Sequence, residues 1–357
     1  MTDVEVVDAV VVGAGQAGLS TSFHLQRRGV PHVVLDADAA PGGAWRHRWD
    51  SLTMRDVHGV AALPDAEEPT GAGPANLVVP ASFAAYERDH DLPVERPVTV
   101  RRVEDAADGS GLLVVRTDRG DRRTRTLVNA TGTWTRPFVP AYPGRADFTG
   151  PQWHTHDYPG PEAFRGLRTA VVGGGASAVQ LLGEVALVTQ TLWFTRRPPV
   201  WRTDDFTPEA GRAAVAQVEE RVRRGLPPAS VVSVTGLALR EQERAAADLG
   251  AYRRRAMFTA LEAGGVRLAD GTREPVDAVL WATGFRPAVG HLAPLRLRSA
   301  LGGITLDGTT AVADPRVQLV GYGPSASTIG ATRAGRAAAR AVVATLEHRG
   351  DGLSRTG

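Results

Sequence analysis

Two glycine-rich loops hold the residues whose chemistry is easiest to name: Gly13-Ala14-Gly15-Gln16-Ala17-Gly18 and Gly173-Gly174-Gly175-Ala176-Ser177-Ala178. Each follows a β-branched run and precedes small residues at helical spacing. Glycine lets the backbone turn tightly and approach a pyrophosphate, and the following helix offers unpaired N–H groups and roughly half a positive charge. Asp36 ends the next β-branched run, about 20 residues beyond the first loop, where a carboxylate accepts hydrogen bonds from ribose hydroxyls. The second loop ends in Ala178, an accepted variant. Its next run leads into Thr195-Arg196-Arg197 with no acid. Guanidinium groups pair with a 2′-phosphate and an acid repels it. The second loop is therefore expected to favour NADPH over NADH, the plainer alternative being a solvated arginine pair. Two such loops in tandem point to two dinucleotides with electrons passing between them.

Each loop requires a strand before it and a helix after it. Val6–Val12 reads as a buried parallel strand, 19–28 as a helix closed by Gly29, and His32–Leu35 as the next strand. Residues 37–80 read as loops and short elements over a ligand, and 82–89 as a short helix. A β-meander is expected over 98–103, 111–117 and 124–129, turning at Asp118-Arg119-Gly120. The second unit has strands at 168–172 and 191–194 around a helix at 178–188. An arginine-rich stretch with helical spacing follows over 204–264, broken at Pro227-Pro228. Strands at 276–282 and 317–320 and a terminal helix over 331–346 complete the reading. Ser325, Ser327 or Thr328 is expected to cap that helix.

The chain has 357 residues, 43% hydrophobic and 22% charged, which fits a globular protein with room for two domains. Its 41 basic residues are all arginine and nearly balance 39 acids, so the net charge of +2 gives no basic field for nucleic acid. The absence of cysteine excludes disulfides, thiolate metal sites and redox dithiols. The start, Met1-Thr2-Asp3-Val4-Glu5, is acidic where a signal peptide is basic, and the apolar run at 9–12 is too short to span a bilayer. A cytoplasmic protein without a stable membrane anchor is expected. His154 and His156 form an H-x-H pair, but no third ligand clusters with them, so no metal is expected.

Between the loops lies Phe148-Thr149-Gly150-Pro151-Gln152-Trp153-His154-Thr155-His156-Asp157-Tyr158. Its F-x-G-x-x-x-H-x-x-x-Y pattern resembles the identifying motif of class B flavoprotein monooxygenases. The final Tyr is closer to the flavin-containing monooxygenase branch than to the Baeyer–Villiger branch. Gly42-Gly43-Ala44-Trp45-Arg46 is similar to the family's segment beside the flavin. Ala130-Thr131-Gly132 and Trp281-Ala282-Thr283-Gly284-Phe285-Arg286-Pro287 resemble its two interdomain crossings. Residues 317–321 with Tyr322-Gly323 look like the last strand of the flavin domain.

The resemblance implies an α/β fold of two doubly wound Rossmann-like domains, the NADPH domain inserted into the FAD domain. The implied spans are 1–145 and 285–357 for FAD and 146–284 for NADPH. It places FAD on Gly13, Gly15, Gln16, Ala17, Gly18 and Asp36, with Gly43, Trp45, Val103, Thr131, Gly132, Gly321 and Tyr322 around it. It places NADPH on Gly173, Gly175, Ala176, Ser177 and Ala178, with Arg196, Arg197, Thr283 and Gly284. The implied reaction transfers one atom of dioxygen to a small substrate through a flavin C4a-hydroperoxide, with S- or N-oxygenation favoured.

Many relatives place an Asn near the flavin; here ungapped spacing puts Arg55 at that position, with Asp56 beside it. Either is a candidate catalytic contact. His154 is a third candidate, expected near the linker and coupling NADPH binding to domain position, or else simply bonded within a turn. Trp45 and Trp49 wall the pocket or belong to the core. A flavin reductase or electron-transfer flavoprotein, a Baeyer–Villiger enzyme and a non-enzymatic flavoprotein are the competing readings. Substrate identity and any homo-oligomeric state are not legible.

Overall fold

The computed structural model describes residues 5–57, 59–202, 208–228, 236–237 and 239–354. Met1 to Val4, and Asp204 at the head of the arginine-rich stretch, lie outside them. Strand β1 (Val6–Val12), helix α1 (Gln16–Gln26) and strand β2 (His32–Leu35) form the first βαβ unit. The chain continues through α2 (Ala75–Asp89), β3 (Val94–Glu95), β4 (Val100–Asp105), β5 (Leu113–Thr117) and β6 (Arg122–Asn129). The second unit comprises β7 (Gln152–His154), β8 (Thr169–Val172), α3 (Ala176–Val185) and β9 (Thr191–Thr195). Then come α4 (Pro208–Arg223), α5 (Arg244–Asp248), β10 (Arg254–Ala256), β11 (Ala260–Glu262), β12 (Gly265–Arg267), β13 (Arg273–Pro275) and β14 (Ala278–Trp281). The chain ends with β15 (Leu306–Asp307), β16 (Thr310–Ala311), β17 (Val317–Leu319) and α6 (Thr328–Ser354).

These strands build two parallel-cored sheets and a small antiparallel one of β11, β12 and β13. The first runs β15-β16-β17-β6-β1-β2-β3, with β5 and β4 attached beyond β6 as an antiparallel hairpin. The second runs β10-β9-β8-β14-β7, every pair parallel. Because its strands fall in sequence between β6 and β17, the second sheet is an insertion into the first. Strands buried on both faces need continuous apolar runs, which is why β1 and β8 show no polar alternation. Helix α1 lies against α6, joining Leu19, Phe23 and Leu25 to Ala334, Ala338 and Val342. Gly335 permits that approach, since a Cβ there would come within 2.5 Å of Ser20 Oγ. The second sheet is covered on one face by α3, through Leu181 and Leu182, and on the other by Phe148 and Phe258.

Several elements differ from the sequence reading. Helix α2 starts at Ala75 rather than 82, because Pro74 at its cap supplies a helix-compatible entry and Pro80 is tolerated inside it. Strands β10 and β11 occupy part of the stretch read as helical. Their pairing comes from β9 and β12, not from local pattern. Helix α6 is longer than expected and is capped by Ser327, whose Oγ accepts from Gly330 N at 3.2 Å. No described helix is long and apolar enough to cross a membrane.

Candidate functional site

The first loop closes through contacts that only glycine permits. Gly13 has φ 103°, with its Cα side against the Ala130 carbonyl, and a Cβ on Gly18 would overlap the Gly13 carbonyl oxygen. Gly15 instead faces open space, its nearest neighbour being Gly43 Cα at 4.0 Å from a built Cβ. Helix α1 begins there with no side-chain cap and no acid in its first turn. The Asp36 carboxylate, 6% exposed, accepts from Ala14 N at 2.6 Å and Asp38 N at 2.8 Å. Gln16 donates to Ala61 O at 2.7 Å, and its buried Oε1 has no donor. Ala17, Gly132 and Gly321 close the far side, both glycines at positive φ. Open backbone, free N–H groups and a buried acid are what a dinucleotide with free ribose hydroxyls requires.

The second loop repeats the construction. Gly173 has φ 140°, and a Cβ there would strike the Ala282 carbonyl. A Cβ on Gly175 would meet nothing within 4 Å, so the N-terminus of α3 at Ala176, Ser177 and Ala178 is approachable. Arg196 and Arg197 are exposed just past β9. Arg254 of β10 adds a third guanidinium, donating Nε to Thr195 Oγ1 at 2.9 Å and Nη2 to Thr195 O at 3.1 Å. The sequence concealed Arg254 because nothing local marks β10 as the neighbour of β9.

The segments between the sheets are bonded to each other. Phe138 N donates to Gly284 O at 2.9 Å, Arg286 N to Arg136 O at 2.8 Å, and Ala288 N to Gly132 O at 2.9 Å. Thr131 Oγ1 donates to Ala288 O at 2.7 Å and Thr283 Oγ1 to Phe138 O. His154, 5% exposed, joins the motif to this ribbon. Its Nδ1 accepts from His156 N at 3.0 Å, so Nε2 carries the proton and donates to Gly284 O at 3.0 Å. Burial keeps its pKa below the ordinary value. With both nitrogens engaged, this neutral ring ties the motif to the second crossing. The rest of the motif is structural too. Phe148 packs under the second sheet, and Gly150 lies where a Cβ would overlap the Asp277 carbonyl.

Tyr158, the last motif residue, leads to a clasp that the sequence did not reveal. Glu184 of α3 accepts from Ser51 Oγ at 2.6 Å, Trp49 Nε1 at 3.2 Å and Tyr158 OH at 3.2 Å. Burial raises the Glu184 pKa against the opposing effect of those bonds. It also raises that of Tyr158, whose phenol stays protonated. One turn earlier, Gln180 Nε2 donates to Asp56 O at 2.9 Å, and Arg240 Nη1 donates to the same carbonyl. The helix that starts at the second cradle is thus fastened to residues 49–56, which follow the first.

Several expected residues take other roles. Asp56 folds its carboxylate onto its own turn, accepting from Thr53 N at 3.1 Å and Thr53 Oγ1 at 2.6 Å, so it is not a free acid. Arg55 is exposed. Val103 is fully buried, its side chain in the core with Val12, Leu35 and Val115. Tyr322 is also core, its OH accepting from Ile304 N at 3.0 Å. Trp49 is buried and bonded to Glu184, whereas Trp45 stays half-buried beside Gly43 at the first cradle.

Two dinucleotide cradles on interlocked parallel sheets, clasped by one helix, define a pyridine-nucleotide oxidoreductase of the two-Rossmann type. Residues 10–224 match the family described as pyridine nucleotide-disulphide oxidoreductase, although this chain has no cysteine. A flavin-containing monooxygenase from Stenotrophomonas maltophilia is 36% identical, with 96% of this chain and 99% of that one covered and a TM-score of 0.81. The protein belongs to the flavin-containing monooxygenase family, whose members are oxidoreductases using FAD and NADP(H). Indole-3-pyruvate monooxygenase YUCCA1 of Oryza sativa subsp. japonica is 36% identical over 180 residues, 48% of this chain and 43% of its own. The chain thus spans less than half of that relative. Cyclohexanone monooxygenase shares the fold at 18% identity and TM-score 0.66, with 97% of this chain and 88% of its own covered.

Proposed function

We propose that this protein is an FAD- and NADPH-dependent monooxygenase that transfers one atom of dioxygen to a sulfur or nitrogen nucleophile on a small substrate. The observation that carries the reading is the contrast between the cradles. A buried acid, Asp36, stands at the ribose end of the first, and three guanidinium groups without an acid stand at that of the second. FAD fits the first, with Asp36 accepting from its ribose and the α1 N-terminus facing its pyrophosphate. NADPH fits the second, with the α3 N-terminus and Arg196 and Arg197 taking its phosphates. Bound together, these groups supply hydride delivery and dioxygen activation. The protein's part is to hold them in register through Glu184 and to keep His154 and Tyr158 neutral. Preference for sulfur or nitrogen rests on Tyr158 at the motif's end.

The test is a panel of thioethers, tertiary amines and ketones supplied with NADPH and isotopically labelled dioxygen. One labelled oxygen in a sulfoxide or N-oxide per NADPH is expected. NADPH oxidation with no label in any product would make the protein a reductase, and label appearing in esters alone would move it to the Baeyer–Villiger branch.

A further inference from the structure

The buried charge left unexplained by the two cradles is Arg48. It follows the Gly43–His47 turn, whose Gly43 backbone abuts the first cradle. Its guanidinium lies 4.5 Å from the Trp134 ring and 5.5 Å from the Trp45 ring. Trp134 stacks on Phe285 of the second crossing, 4.9 Å between centroids, and on His156 of the motif, at 5.1 Å. Arg48 therefore sits where the first cradle, both crossings and the motif converge, on the seam between the two dinucleotide sites.

Most buried or half-buried arginines here have a carboxylate. Arg96 pairs with Glu87, Arg168 with Glu274, and Arg316 with Asp314. Among the described residues no acid pairs with Arg48. Its buried Nε has no acceptor, and neither does the buried Nε1 of the adjoining Trp134. Burial alone lowers the Arg48 pKa to about 10, with no charge opposing it, so the group remains cationic at neutral pH. A desolvated cation beside a second unsatisfied donor is costly, and stacking on two indoles offsets only part of that cost. An anionic oxygen against the outer nitrogens of the Arg48 guanidinium would offset that cost. The phosphates of both dinucleotides already have helix N-termini, which leaves a carboxylate as the anion for this cation.

We propose that Arg48, flanked by Trp45 and Trp134, is the receptor for a carboxylate on the substrate, so that the preferred substrates are small carboxylic acids. The inference rests on the monooxygenase reading for what happens to such a ligand, but not for its binding. The probes are 4-(methylthio)benzoate and its uncharged methyl ester, titrated by tryptophan fluorescence and assayed for sulfoxide. The wild-type protein is expected to bind the acid more tightly than the ester. Arg48→Gln should weaken acid binding about 10- to 100-fold, the loss of one charge-assisted hydrogen bond. Ester and NADP⁺ binding should stay within about twofold, and Arg48→Lys should restore part of the preference. Unchanged flavin content shows that each variant is folded. Equal binding of acid and ester by wild type, or a loss confined to NADP⁺, overturns the proposal. Retained acid preference with no sulfoxide from either probe upholds the Arg48 site and counts against the oxygenase reading instead.

Discussion

Replacing Glu184 by alanine should loosen the clasp between the two halves by a calculable amount. The Glu184 carboxylate is the acceptor for three donors. Ser51 is exposed and turns to water at little cost. Trp49 and Tyr158 are each 7% exposed, so Nε1 and the phenol would lose their partner inside the protein. At about 1–3 kcal/mol for each orphaned buried donor, Glu184→Ala costs about 2–6 kcal/mol. Relief of the buried charge brings the figure toward the lower half. Urea unfolding of the FAD-loaded protein at neutral pH measures it as a shift in midpoint at constant slope. Glu184→Gln supplies the second arm. Because the folded pKa is raised, the folded state holds the Glu184 proton more tightly than the unfolded chain. The penalty is full above the folded pKa and disappears as pH falls below the unfolded value of about 4.3. Wild type should therefore gain stability relative to Glu184→Gln on acidification. A change under about 0.5 kcal/mol in the alanine variant, or a gap that moves the other way with pH, refutes the clasp.

Three further outcomes are expected. Asp36→Asn weakens the acceptor for Ala14 N and for a ribose hydroxyl, so FAD retention should fall about 10- to 100-fold, read as the flavin dissociation constant. The double replacement Arg196→Ala with Arg197→Ala should reduce the ratio of kcat/KM for NADPH over NADH by about tenfold, and most at low salt because both groups are exposed. Arg55→Ala should leave NADPH oxidation and its coupling to product unchanged, because its side chain stands in solvent. A fall in coupling would return Arg55 to the catalytic candidates.

The cradles were legible because their pattern is local. Gly13, Gly18 and Gly173 stand at fixed spacings within their loops, although the carbonyls that demand glycine at Gly13 and Gly173 belong to Ala130 and Ala282, and the acid or arginine at the next strand end follows from a single repeat length. The clasp and the Arg48 site were not legible because they join distant positions. Glu184 meets Trp49 across 135 residues, and Arg48 meets Trp134 across a crossing. Single polar residues in a helix or loop give no periodic signal of such partners. His154 was conspicuous in the motif, yet its role emerged only from the carbonyl of Gly284. Val103 and Tyr322 show what pattern alone leaves out: their side chains pack in the core, a fact fixed by distant neighbours.

The bonded pair of crossings carries one more implication. A domain hung on two independent strings can swivel, slide or pull away in any direction. Here the strings are laced together at Gly132, Arg136 and Phe138, so the inserted half rides on a flat strap. A strap folds easily across its width but resists stretching and edgewise bending. Any travel of the inserted half is thereby biased toward a nod along one arc, with the strap and the Glu184 clasp together setting how the two halves face each other.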